Sequence, residues 1–155
     1  MKATLAEVQE YLKLLGETTL RITSITRHVD ESRLRAKPGR DEWSANDILA
    51  HLRSCADVWG DQIDKMIAKD NQKLPYAHPR QWIKKTNYRE LPFNESFQAY
   101  KAQRRKLLKM LKELSFEDWE RRATIKGREH TVFTHVRRMA RHEDVHCDEI
   151  EAAVK

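Results

Sequence analysis

Apolar side chains recur every three or four residues along four long stretches of this chain, at about 5–28, 45–69, 95–113 and 132–153. This spacing places apolar groups on one face of an α-helix. The chain has 4 glycines and 4 prolines among 155 residues, about 5% of the total. Average proteins carry about 12% of the two together, so folds rich in tight turns are disfavoured. We expect one all-α domain over 1–155.

Capping signals place the starts of these helices. Thr4 is followed three residues later by Glu7, which is the pattern of a capping box. Ser44 precedes the second helix and has Asp47 at the corresponding position. The four predicted N-caps are Thr4, Ser44, Asn94 and Thr131.

The connection between the second and third helices is unusually long. Residues 70–93 contain Pro75, Pro79 and Pro92, with a short helix expected around Trp82. Connections within helix bundles usually have about two to eight residues. A longer one can return along the bundle, so that the helices on either side of it run parallel. This predicts an up-down-down-up four-helix bundle in which the second helix is antiparallel to the fourth.

Composition removes several classes of protein. The net charge of +6 arises from 30 basic and 24 acidic side chains that are interspersed along the chain. This favours a solvated surface and leaves DNA binding as a remote alternative. No apolar run suits a membrane span or a signal sequence. The two cysteines make no disulfide framework, so we expect a cytoplasmic protein.

Two of the seven histidines lie on the predicted inner face of the last helix. His142 and His146 are four residues apart, which brings both rings to one side of the helix. They indicate either a shared metal ion or two histidines bonded into a polar core layer. Four others lie near predicted loops or helix ends, or off the inner stripe, and we expect them at the surface: His28, His78, His130 and His135.

His51 favours the metal. It follows the cap of the second helix by the same depth at which His142 and His146 precede the end of the fourth, so antiparallel helices would bring all three together. Buried imidazoles without partners are costly, and one cation would satisfy them. Three histidines leave coordination positions for water or substrate, as in catalytic sites. Imidazole suits zinc, nickel, iron or copper, and we expect zinc, nickel or iron.

The stretch from His142 to His146 also spells H-E-x-x-H, the motif of zinc proteases in which the glutamate, here Glu143, is the general base. Those enzymes need a third ligand downstream, but only nine residues follow His146. Glu149 and Glu151 are too close in sequence to supply it. We therefore disfavour the protease and expect Glu143 to lie beside the ligands or to face outward.

Two segments carry a resemblance to a known family. The stretch Trp43–Leu52, WSANDILAHL, resembles the W-S-x-x-[ED]-x-[LI]-x-H-[LI] start of the second helix in the DinB/YfiT-like superfamily. The stretch from Thr131 to His146 resembles the T-[VL]…H-[DE]-x-x-H pattern of its last helix. The length of the chain and the order of its helices are similar as well.

The resemblance implies a four-helix bundle, often a homodimer, with a divalent metal held by His51, His142 and His146. Members with known activity include thiol-dependent S-transferases and a mycothiol-dependent maleylpyruvate isomerase. It thus implies a metal-dependent transferase that uses a low-molecular-weight thiol, or a metal-dependent hydrolase. The alternative is a non-catalytic metal-binding or stress-response module. A further histidine that is frequent in the family falls here on Arg138.

The metal would activate a bound thiol as a nucleophile, or water in a hydrolase. Arg53, Arg138 or Arg141 could hold an anionic cosubstrate, although a solvated helix face is the favoured interpretation of each. Cys55 lies on the apolar stripe and is expected to be a small core residue. Cys147 is rotated away from His146.

Overall fold

Four long helices dominate the structure, a computed structural model that describes residues 2–155. They are α1 (Leu5–Thr26), α3 (Ala45–Ala68), α5 (Phe93–Lys112) and α6 (Val132–Ala153), with two short helices, α2 (Glu31–Arg35) and α4 (Pro79–Trp82), in the connections. Each long helix lies within two residues of its predicted bounds. Within residues 2–155, no helix is long and apolar enough to span a membrane.

Three of the four predicted caps are present. Thr4, Ser44 and Thr131 each accept a hydrogen bond from the backbone N–H three residues on, in a capping box. The prediction for α5 is wrong, because its N-cap is Pro92, which makes no side-chain bond. The free N–H of Phe93 is instead bound by Glu31 Oε1 at 3.0 Å. A carboxylate from α2 thus replaces a local cap.

Helices α3 and α6 run antiparallel where they meet. His51, near the start of α3, contacts His142 in the second half of α6. Further along α3, the Gln62 Oε1 atom lies 2.7 Å from Nε2 of His135, near the start of α6. Positions that ascend in α3 therefore meet positions that descend in α6.

A three-stranded sheet corrects the all-α expectation. Strand β1 (Gln72–Leu74) pairs parallel with β2 (Arg122–Ile125), which pairs antiparallel with β3 (Arg128–Thr131). The hairpin turns at Lys126 and Gly127, both with positive φ, as two-residue hairpin turns require. The sequence predicts brief extended structure in this region. Its pairing with β1, which lies about fifty residues earlier, has no local signal.

Asp57 fastens the long connection to the bundle. Its carboxylate accepts hydrogen bonds from Trp82 Nε1 at 3.0 Å and from the hydroxyl of Tyr88, which both belong to the connection. Gln103 on α5 donates to the other oxygen at 2.9 Å. One side chain of α3 thus holds the connection and α5 together.

The interior has two apolar clusters and a polar layer. One cluster includes Leu15, Ile63 and Phe133, and the other includes Ile22, Leu49 and Ile150. The polar layer is formed by buried side chains from α1, α5 and α6, namely Thr18, Tyr100, Arg104 and Glu143.

Candidate metal centre

The structure brings together the three histidines that the sequence singled out. The Nε2 atom of His142 lies 3.3 Å from Nε2 of His51 and 2.9 Å from Nε2 of His146. One nitrogen from each ring lies within 4.8 Å of the other two. His51 is only 5% exposed, and His146 is 9% exposed. Helix α3 supplies one ring and successive turns of α6 supply the other two.

These nitrogens form a donor set that fits a divalent cation. Hydrogen bonding alone cannot satisfy three converging ring nitrogens, because one proton serves only one pair at a time. A cation accepts all three lone pairs at once, and three histidine ligands leave a position open. Zinc, nickel and iron all accept imidazole nitrogen.

Protonation of the cluster is disfavoured. Burial, followed by the neighbouring His146 and His142 rings and by Arg80 and His78, lowers the pKa of His51 to about 3. Burial and His146 also lower the pKa of His142 to about 4. Both imidazoles are therefore neutral near pH 7, which is the form that binds a metal.

Glu149 orients one of the rings. Its Oε2 atom lies 3.2 Å from Nδ1 of His146. A carboxylate on Nδ1 keeps the proton there and leaves the lone pair of Nε2 for a metal. Sequence reasoning excluded Glu149 only as a ligand and missed this role. The H-x-x-E spacing on a helix, which puts both residues on one face, is the signal that could have found it.

We expect Glu149→Gln to weaken metal binding about tenfold. Loss of such a carboxylate typically costs 10–100-fold in affinity, and the lower end is expected because this side chain is 48% exposed. Competition with a chromophoric chelator measures the affinity. The matched control is Glu151→Gln, two residues further along α6. An equal loss in both variants, or in neither, would show that the contact has no specific role.

The structure excludes Glu143 as a metal-site base. It is 3% exposed and accepts bonds at 2.9 Å from the hydroxyls of Thr18 and Tyr100. Arg104 of α5 binds both of its oxygens. The expectation that Glu143 lies beside the ligands or outward is wrong, because a buried arginine on another helix draws it into the bundle.

His135 is not a surface residue, which corrects a second prediction. It is 1% exposed, and its Nε2 lies 2.7 Å from Gln62 Oε1. Burial lowers its pKa to about 3, with smaller contributions from His130 and Arg138. It does not belong to the three-histidine group. A polar partner on α3 allowed this residue, which lies off the apolar stripe, to face inward.

Both cysteines are buried and free. Cys55 Sγ lies 3.5 Å from His51 Nε2 but does not belong to the mutually close donor group. Burial raises the pKa of Cys55 to about 12 and that of Cys147 to about 11, so both remain thiols at neutral pH. Cys147 packs in an apolar cluster with Ile150, away from the three histidines.

Of the three arginines considered from the sequence, only Arg138 lies near the cluster. Its guanidinium is 5.8 Å from the ring of Trp59, and that ring is 5.1 Å from His142. Arg53 instead stacks on the ring of Tyr88, and Arg141 donates to the hydroxyl of Tyr11.

Comparison with known proteins agrees with this architecture. The family model of the DinB superfamily matches residues 4–150. Among solved structures, YfiT from Bacillus subtilis matches with a TM-score of 0.80 at 10% identity, covering 98% of this chain and 88% of that one. YfiT is described as a probable metal-dependent hydrolase with an unusual four-helix bundle topology. No curated protein matches the chain.

Proposed function

The chain belongs to the DinB superfamily, and we propose that it is a metal-dependent enzyme whose divalent cation is held by His51, His142 and His146. The observation that carries the proposal is the convergence of three ring nitrogens within 4.8 Å of one another. Burial keeps two of these rings neutral, and Glu149 orients the third. The description of YfiT as a probable metal-dependent hydrolase is consistent with the same chemistry.

A bound divalent cation would supply Lewis acidity, which lowers the pKa of a coordinated thiol or water. The chain offers no nucleophile of its own at this position. Cys55 is protonated and buried, and Cys147 lies in an apolar cluster. Glu143, the only acid inside the H-E-x-x-H segment that is buried, is bound by Arg104. The nucleophile must therefore arrive from solution, as a low-molecular-weight thiol in a transferase or as water in a hydrolase.

We further propose that the four long helices follow the up-down-down-up order. Contacts between α1 and α6 ascend together, and so do contacts between α3 and α5, which is the pattern of two parallel pairs. The contacts are Tyr11–Phe133 and Thr18–Glu143 for the first pair, and Arg53–Ser96 and Asp57–Gln103 for the second. The expected homodimer and cytoplasmic location stay predictions.

Metal-replete protein is expected to turn over either thiol–electrophile pairs or simple esters in a parallel screen. The His51→Ala variant should lose at least about a hundredfold in rate, because loss of a mere ligand-orienting residue already costs up to that much. The exposed His28→Ala variant is the control and should keep full activity. Stoichiometric metal without turnover of any substrate would favour the non-catalytic metal-binding module.

A further inference from the structure

Two arginine–tryptophan pairs flank the three-histidine cluster. The guanidinium carbon of Arg80, on α4, lies 5.1 Å from the centre of the Trp43 ring, and that ring is 5.2 Å from the ring of His51. Arg138 stands in the same relation to Trp59 and His142, at 5.8 and 5.1 Å. A cation therefore lies behind an aromatic side chain on both sides of the candidate centre.

Neither of these two guanidinium groups forms an ion pair within residues 2–155. Arg89 provides the contrast, since it also lies over Trp43 but has a carboxylate of Asp47 at 3.5 Å. Stacking on a ring restrains the plane of a guanidinium and leaves its N–H edge free for a planar anion. Arg80 and Arg138 are thus restrained and not neutralised by the protein.

The positive charge acts on the centre itself. After burial and the neighbouring groups, both Arg80 and Arg138 contribute to the lowered pKa of His142. The nearby acids do not cancel this charge on the open side. Glu143 is turned inward onto Arg104, and Glu149 is engaged by His146.

We propose that this centre takes an anionic small molecule, whose carboxylate or phosphate group is held by Arg80 and Arg138 beside the metal. The inference rests on the proposed function, because it assigns the substrate class of the same site. The two arginines come from different elements, so a ligand bound to both would join α4 to α6 across the three histidines.

Calorimetric titration of the purified, metal-containing protein tests the proposal. Succinate and inorganic phosphate are the two probes, at low ionic strength because exposed charges are screened by salt. We expect saturable binding of at least one probe, which distinguishes a carboxylate from a phosphate ligand. Arg80→Gln and Arg138→Gln should each weaken it about tenfold, the usual effect of removing a bond to a charged group. Tryptophan fluorescence should change in the same titration.

The matched control is Arg105→Gln, an exposed arginine on α5 whose loss changes the net charge equally. It should bind the probe within about twofold of the unaltered protein, as a purely surface charge does. Equal affinity in all three variants, an equal loss in all three, or no saturable binding of either probe would overturn the proposal. Metal-free protein that binds succinate through both arginines would contradict the proposed function while supporting the anion site.

Discussion

Replacing Glu143 with leucine is expected to lower the free energy of unfolding by about 3–5 kcal/mol, the usual effect of breaking a buried ion pair. The substitution leaves the Arg104 guanidinium, only 3% exposed, without its carboxylate. Burial alone would lower the pKa of Arg104, but Glu143 and Tyr100 raise it above its ordinary value, so the group stays charged. The hydroxyls of Thr18 and Tyr100 lose an acceptor as well. Urea denaturation of metal-free protein measures the change.

A double variant provides the control. Arg104→Met with Glu143→Leu removes both charges and should be far less destabilised than the sum of the single variants, because apolar pairs can replace buried ion pairs. Glu143→Gln keeps an acceptor and serves if the leucine variant does not fold. If Glu143→Gln abolished turnover at unchanged stability and metal content, Glu143 would be the general base of an H-E-x-x-H enzyme, and its assignment to a purely structural layer would be wrong.

The second large effect is expected from His142→Ala, because His142 Nε2 is the nitrogen that contacts both of the others. Its removal should weaken metal binding at least about a hundredfold, more than loss of an orienting carboxylate. The rise in melting temperature that metal gives the unaltered protein should disappear. Thermal unfolding with and without chelator measures both, with exposed His28→Ala as the control. An unchanged response to chelator would contradict the ligand assignment.

The same variant should change the acid sensitivity of the metal-free protein. The pKa of His142 falls from 6.5 in the unfolded chain to about 4 in the folded one. Between these values the unfolded chain binds more protons, so the folded protein loses stability as pH falls from 6.5 towards 4. Without His142, melting temperature should fall less steeply over this range, whereas His28→Ala should leave the slope unchanged.

The parts of the fold that the sequence could predict are those set by local chemistry. Apolar spacing and capping boxes at Thr4, Ser44 and Thr131 act within a few residues, and the structure has all three caps. His51, His142 and His146 could be grouped because helix depth and direction together determine which residues face each other. Both inferences use distances along the chain alone.

The features that sequence reasoning missed depend on partners from other elements. Glu31 caps α5 from α2, Arg104 draws Glu143 inward from α5, and Gln62 receives His135 from α3. Arg80 reaches the centre because Asp57 fixes the long connection against α3. No local pattern marks these pairs, so burial of polar side chains was underestimated.

Crystals of the purified protein, with diffraction recorded across the absorption edges of zinc, nickel and iron, test the three-histidine metal centre most directly. We predict one anomalous peak per chain, at bonding distance from Nε2 of His51, His142 and His146, and its absence in His142→Ala. Elemental analysis should then give about one equivalent of that metal. A protein without a peak at the three histidines, and with less than about a tenth of an equivalent of any of the three metals, would contradict the assignment of this cluster as a metal centre.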